Sequence, residues 1–331
     1  MLSGQGDERS GVRSADDVTE LTNIQGIGVG RAGPSENGPG DGTVEPGHPT
    51  LNVYLAQPRT ADDVRAVIVD RMGVSAAASP RVVVVPIVTG LIVAQLFDFQ
   101  QRPAPGGISV LGNPNAVGFG TLGCLTTGRS APRDQRTLIL SCNHVLANSN
   151  QGQLGDCVDQ PATGDAGICP DDLIAVLERF VPVTFGGPVN IVDCATGWAD
   201  PANVSPNVLA RGPGGTFELA ISSTTAAATV GTAVGKSGRT TEITAGTVQE
   251  VGASHWAGYP GGNSAFFSGS IAITGNSGPF SAPGDSGAIV WTDDDNRNPV
   301  SLLFAGTSNL SRTFTNPIDI VTQALDVFIT T

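Results

Sequence analysis

The chain of 331 residues is 40% hydrophobic, with 44 glycines, 5% aromatic residues, a net charge of −13 and a single lysine, Lys236. So acidic a surface repels phosphate backbones, which excludes nucleic acid as a partner. Gly and Pro are abundant between short β-branched runs, and charged helix formers are scarce; this describes a mostly β protein with a sizeable core.

Residues 1–22 are polar and mixed in charge, without the apolar core of a secretory signal. They read as a disordered N-terminus, and the missing signal favours the cytoplasm. IQGIGVGR (24–31) and LNVYLAQ (51–57) read as strands around a Gly/Pro-rich loop. GIGVG lacks the third glycine and the following helix that a dinucleotide needs, and no organic cofactor is expected. In TADDVRAVIVDRMG, Thr60 is the N-cap, Asp62 and Asp63 favour the positive helix end, and Val64, Val67, Ile68 and Met72 share one face before Gly73 stops the helix. The most apolar run, residues 82–97, is too short for a membrane span and is interrupted by Pro86 and Gly90; it reads as two buried strands joined by a turn. Residues 23–103 thus form a small N-terminal α/β unit. QRPAPGG (101–107) reads as a linker into a second domain, 104–331.

Short strands then alternate with Gly-rich turns: GFGTLGCL, TLILSCN, LIAVLERFV, NIVDCATGWA, TAVGKSGR, GTVQEVG, SAFFSGSIAI, GAIVWT and SLLFAGT. Regular short strands of this kind argue for a sandwich or barrel. The chain should close on a helix over 316–329, with Asn316 as cap, Pro317 at the first helical position, and Ile318, Val321 and Leu325 on one face.

The five cysteines are Cys124, Cys142, Cys157, Cys169 and Cys194. No pair has zinc-site spacing, so no metal is expected. They are either buried free thiols or two bridges, Cys124–Cys142 and Cys157–Cys169.

Three segments carry chemistry. In SAPGDSGAIVW (281–291), Gly284 permits a tight turn that presents the Ser286 hydroxyl. The N–H groups of Gly284 and Ser286 are then the donors for a developing oxyanion. Alone, GDSG is also compatible with an ordinary glycine-rich turn. In LILSCNHVLAN (138–148), His144 follows the end of a buried strand, unlike His48 and His255, which lie in loop-like or polar stretches. A general base needs such rigid support, although a strand-end histidine is also common without function. In NIVDCATGWA (190–199), Asp193 interrupts an apolar run, as a buried carboxylate paired with a histidine would. The His, Asp, Ser order is that of chymotrypsin and differs from subtilisin and the α/β-hydrolases.

SCNHV, VDCA and GDSG resemble the signatures of trypsin-like serine peptidases. GTLGCL, LSCNHVLANSN, GDCVDQP, GKSGRTTEITAGTV, FSAPGDSG and LLFAGT are similar to motifs of a bacterial branch related to the plant NARROW LEAF 1 protein. The GIGVG…LNVYL segment resembles the N-terminal unit of that group. The resemblance implies a chymotrypsin-like double β-barrel with a small N-terminal α/β unit and a C-terminal helix. It implies a serine endopeptidase with the triad His144, Asp193 and Ser286 that acts on protein or peptide substrates through an acyl-enzyme. In the same frame Phe280 lies at the base of the P1 pocket and Gly306 on one wall, so P1 is small or apolar and not basic. A homo-oligomer is compatible with this reading. The alternative is a scaffold or regulatory protein of low turnover that assembles through its N-terminal unit.

Overall fold

The computed structural model describes residues 23–32, 46–72, 83–88, 96–112, 115–212 and 214–330. The expectations for 1–22, for Gly73 and for a second strand within 89–95 lie outside these residues. The chain divides into two compact units at 94/95.

In the first unit, β1 (Ile24–Arg31) pairs antiparallel with β2 (Pro49–Leu55), and β2 pairs parallel with β3 (Val83–Val88). The crossover is α1 (Ala61–Met72). Its N-terminus is closed by Thr60, whose Oγ1 accepts from the Asp63 N–H at 3.2 Å and donates to the Asp63 carboxylate at 2.8 Å. Val64 and Ile68 pack on Val53, Leu55 and Val84 in a small core. Because β1 leads into a hairpin partner and not into a helix, its glycines form no phosphate-cradling turn.

The second unit opens with β4 (Ala104–Gly106), β5 (Ser109–Gly112), β6 (Gly120–Thr121), β7 (Cys124–Gly128), β8 (Leu138–Ser141), α2 (Asn143–Leu146), β9 (Cys157–Asp159), β10 (Leu173–Phe180) and β11 (Ala195–Ala199). After β12 (Val204–Gly212) and β13 (Gly215–Leu219) come β14 (Ala233–Gly238), β15 (Glu242–Gly258), β16 (Ser264–Gly275), β17 (Ile289–Thr292), β18 (Pro299–Gly306) and β19 (Thr313–Pro317). The chain ends in α3 (Ile318–Leu325) and β20 (Val327–Ile329). The first sheet has eight strands in the order β20-β7-β8-β11-β10-β9-β5-β6 and curls into a half-barrel. The second is a closed six-stranded barrel, β14-β15-β16-β19-β18-β17. β4, β12 and β13 form a third, three-stranded sheet. The protein is thus mostly β, with two barrel-like sheets, and α3 returns the chain from the second barrel so that β20 can pair with β7 of the first.

Three local expectations are corrected. The segment 101–107 is not a linker: β4 is buried and pairs with β12, and the Arg102 guanidinium donates to the carbonyls of Gln160 at 2.7 Å and Asp172 at 2.9 Å. Cys124 and Cys142 are not bridged. The β7–β8 register sets Cys124 opposite Leu140, and both thiols are free and buried; Cys157 and Cys169 are bonded. Asn316 does not cap α3. It ends in β19, the cap position falls to Pro317, and the Asn316 amide donates to the Asp193 carbonyl at 3.2 Å.

Candidate active site

His144 and Asp193 meet because β8 and β11 are antiparallel neighbours. Ser141 pairs with Ala195, the last residue of β8 with the first of β11. Just past that pair β8 turns into α2, which carries His144, and the extended segment that leads into β11 carries Asp193. The His144 Nδ1 lies 2.8 Å from Asp193 Oδ2, and its backbone N–H donates to Oδ1 at 3.3 Å. The Tyr259 hydroxyl, at the end of β15 in the other barrel, donates to Oδ2 at 2.7 Å. Asp193 is fully buried. Burial pushes its carboxyl up, but neighbouring His144 and the hydrogen bonds from His144 and Tyr259 bring it below the usual carboxylate range.

Ser286 lies on the turn before β17. Gly284 has φ +105° and Gly287 φ +97°. A Cβ on Gly284 would meet Thr240 Oγ1 at 2.3 Å, and one on Gly287 would meet Ser141 Oγ at 2.0 Å and the Thr121 carbonyl at 2.2 Å. Glycine is therefore required twice, once for the turn and once for the close approach of the two sheets. The Thr121 N–H donates to the Ser286 carbonyl at 2.8 Å across that contact. Within the turn, the N–H groups of Asp285, Gly287 and Ala288 are bonded to backbone carbonyls, whereas those of Gly284 and Ser286 have no partner among the described residues. Two adjacent free donors beside a hydroxyl can receive an anionic oxygen.

The turn is braced by Asp285, which is fully buried. Its carboxylate accepts from the N–H groups of Thr240 at 2.8 Å, Thr241 at 3.1 Å and Ala282 at 2.9 Å, and from the Thr241 hydroxyl at 2.6 Å. The Lys236 Nζ, also fully buried, is 3.5 Å away. Burial is the largest influence on that amine and, against the pull of Asp285, lowers it to about 8.

His144 and Ser286 line one cavity of about 400 Å³ with Tyr259, His255, Ser281, Phe304, Gly306 and Phe314. The Ser286 hydroxyl donates to the Phe304 carbonyl at 3.4 Å and forms no hydrogen bond with His144. Gly306 is on the cavity wall. Phe280 is not at its base: it is 1% exposed and packs inside the second barrel with Val234, Val248, Ile273 and Val290. Its carbonyl accepts from Thr244 Oγ1 at 2.7 Å. Ser281 takes the position at the cavity instead. His48 lies in the first unit and its carbonyl accepts from the Ala32 N–H at 2.8 Å.

Two further cavity residues are His255, which the sequence places in a polar stretch, and Tyr259, which it does not single out. His255 stacks on Phe314 with ring centroids 3.9 Å apart, and its Nε2 is 3.2 Å from Ser270 Oγ. Tyr259 joins it from the same strand end. The signal lay in β15, whose length carries HWAGY across the barrel mouth, but a Gly-interrupted segment hides that length in the sequence.

Ligand atoms of Cys142, His144 and Asp193 lie within 4.8 Å of one another, a set that resembles a metal cluster. The atoms are already committed. Nδ1 is bonded to Asp193, and the Cys142 thiol, pushed well up by burial, donates to the Leu303 carbonyl at 3.1 Å. The set is arranged for hydrogen bonding.

No family model matches the chain, and no curated protein sequence matches it. Solved structures do resemble it. Thermobifida fusca protease A is 20% identical with a TM-score of 0.47, and the likeness covers 69% of this chain and all of that one. Cellulomonas bogoriensis chymotrypsin is 20% identical at 0.46, covering 69% and 98%. Nocardiopsis protease is 20% identical at 0.48, covering 69% and 100%. These neighbours are chymotrypsin-fold serine proteases. The present chain's own strand order is that of a mostly β protein with a half-barrel and a closed barrel, joined at the end by a returning helix.

Proposed function

We propose that the chain is a serine endopeptidase that cleaves protein or peptide substrates through His144, Asp193 and Ser286. One observation carries the reading: Asp193 holds Nδ1 of a histidine that shares a cavity with a serine flanked by two unpartnered N–H groups. With Nδ1 committed, Nε2 is the nitrogen left for proton transfer. In the proposed reaction the Ser286 hydroxyl turns from the Phe304 carbonyl toward Nε2 and gives up its proton there as Oγ bonds to the scissile carbonyl carbon. The N–H groups of Gly284 and Ser286 receive the carbonyl oxygen as it becomes anionic. The Nε2 proton then passes to the leaving amine and an acyl-enzyme remains; water releases it by the same steps, with His144 again taking and returning a proton.

Among the described residues no carboxylate lines the cavity, and its walls include Phe304, Gly306 and Phe314. This supports small or apolar P1 residues over basic ones. The kinship with the bacterial branch that resembles the plant NARROW LEAF 1 protein belongs to the same proposal, as does the role of the N-terminal unit as a module that supplies no triad residue.

A second reading is favoured by the bond from the Ser286 hydroxyl to the Phe304 carbonyl, which points it away from His144: a scaffold of low turnover. A fluorophosphonate probe separates the two. Labelling of the purified protein that disappears in Ser286→Ala supports the peptidase, since loss of a triad nucleophile costs on the order of 10⁶-fold in rate. Labelling that persists in Ser286→Ala removes Ser286 from the mechanism, and a folded wild type that never labels favours the scaffold.

A further inference from the structure

We infer that Tyr259 is a positioning residue: its hydroxyl reaches across from the second barrel to hold the Asp193 carboxylate, and through it sets the orientation of His144. The inference rests on the peptidase reading above and goes beyond it by adding a fourth residue that neither motif nor spacing announces.

A buried carboxylate needs hydrogen bonds to stay ionised. Among the described residues, the Asp193 carboxylate has three: the backbone N–H and ring Nδ1 of His144, and the Tyr259 hydroxyl. The first two come from the residue that Asp193 is meant to orient. Tyr259 is therefore the one independent anchor. Without it, the carboxylate and the imidazole are free to shift together.

The hydroxyl is held for this purpose. The Tyr259 ring meets His144 edge-on, with centroids 5.8 Å apart at 88°, and packs against Phe185 at 5.3 Å and Phe267 at 6.3 Å. Its N–H donates to the Asn263 carbonyl at 2.8 Å, which closes the turn after β15. Burial, followed by the charge of Asp193, pushes the phenol far up, so it stays a donor at every working pH. The titratable groups that face Asp193 are His144, Tyr259 and the thiols of Cys142 and Cys194, and both thiols are pushed up by burial. The Asp193 main chain is tied to the second barrel as well, through the Asn316 amide. The half-barrel thus presents the acid and base, and the closed barrel fixes the acid at two points.

Tyr259→Phe tests this by removing one oxygen and keeping the ring. The variant should lose about ten- to a hundred-fold in kcat with KM unchanged, the range expected for one hydrogen bond to a charged group. The ascending limb of its pH profile should move to higher pH, because a carboxylate with one donor fewer holds more charge against an imidazolium. The proton NMR signal of the His144 Nδ1–H should move downfield as its bond to Asp193 strengthens. A merely structural tyrosine would alter thermal stability and move neither limb nor signal. Fluorotyrosine gives a second variant that keeps the fold: the chain has two tyrosines, and Tyr54→Phe leaves only Tyr259 to be replaced. The more acidic phenol should move the limb and the signal the opposite way. Rates, limb and signal that match the wild type in both variants would overturn the inference. The two readings fail separately: if the wild type never labels with a fluorophosphonate, the peptidase proposal falls, and the NMR signal still decides whether Tyr259 holds Asp193.

Discussion

Lys236 and Asp285 form a fully buried ion pair, with Nζ 3.5 Å from Oδ2, directly behind the turn that carries Ser286. Nζ also donates to the Glu242 carbonyl at 2.9 Å and to the Thr241 hydroxyl, and that hydroxyl donates to Asp285. The chain's one lysine is therefore spent on the residue next to the proposed nucleophile. Removing one partner of a buried pair strands the other charge, whereas removing both is often tolerated. Lys236→Met should cost about 3–5 kcal/mol in unfolding free energy. Lys236→Met with Asp285→Asn should recover part of that loss. Urea unfolding of the wild type, the two single variants and the double variant measures the coupling, and additive losses would show that the pair does not act as a unit.

The same pair leaves a mark on pH dependence. Lys236 is lowered to about 8 in the folded protein from an ordinary 10.5, with burial as the leading cause. A group with a depressed folded pKa contributes stability that is complete above the unfolded value and is lost as pH falls through the folded one. Between pH 8 and 10.5 the unfolded chain holds this proton and the folded chain does not, so stability from Lys236 rises with pH, by about 1.4 kcal/mol per unit at most. Cys142, Cys194 and Cys124, the last pushed up to about 12, act in the opposite sense in this range. The difference in unfolding free energy between wild type and Lys236→Met removes their contribution. That difference should shift in favour of the wild type from pH 8 to 10, and a flat difference would contradict the lowered amine.

Asp193→Asn replaces an acceptor-only carboxylate with an amide that can turn its NH₂ toward His144. Nδ1 is then the acceptor and the proton sits on Nε2, where it blocks transfer from Ser286. Peptide hydrolysis at neutral pH should fall by about 10⁴-fold. Near-normal turnover would mean that another group orients His144.

The two glycines of the turn should separate stability from rate. In Gly287→Ala the new Cβ meets the Ser141 hydroxyl and the Thr121 carbonyl, where backbone cannot yield, and φ is positive. Thermal unfolding should report a loss of about 2–5 kcal/mol. In Gly284→Ala the Cβ meets the movable Thr240 side chain and the Phe119 ring. Stability should fall by about 1–3 kcal/mol. The displaced N–H should lower the rate of labelling by about 10²–10³-fold, the usual value of one oxyanion donor. Equal effects on both measurements in both variants would show that the N–H of Gly284 has no part in the reaction.

His144, Asp193 and Ser286 stand out as candidates in the sequence because each is written in a local pattern: a buried strand ending at a histidine, an acid inside an apolar run, a glycine pair around a serine. The alternation of short strands and turns set the mostly β class, and Thr60 with its two aspartates set the start of α1. What the sequence leaves open depends on partners far along the chain. Tyr259 reaches Asp193 over 66 residues, and Lys236 reaches Asp285 only because β14 lies beside β17 in the closed barrel. Cys124 faces Leu140 and not Cys142 because strand register is chosen by the whole sheet. Phe280 is buried among the apolar side chains of the second barrel's core, which no spacing from Ser286 can state. SPNVLARG and GTFEL, broken by Pro206, Gly212 and Gly215, became β12 and β13 through the pairing of β12 with β13 and with β4. Local chemistry, in short range, is a matter of sequence; which side chain answers a buried charge is decided where the barrels close.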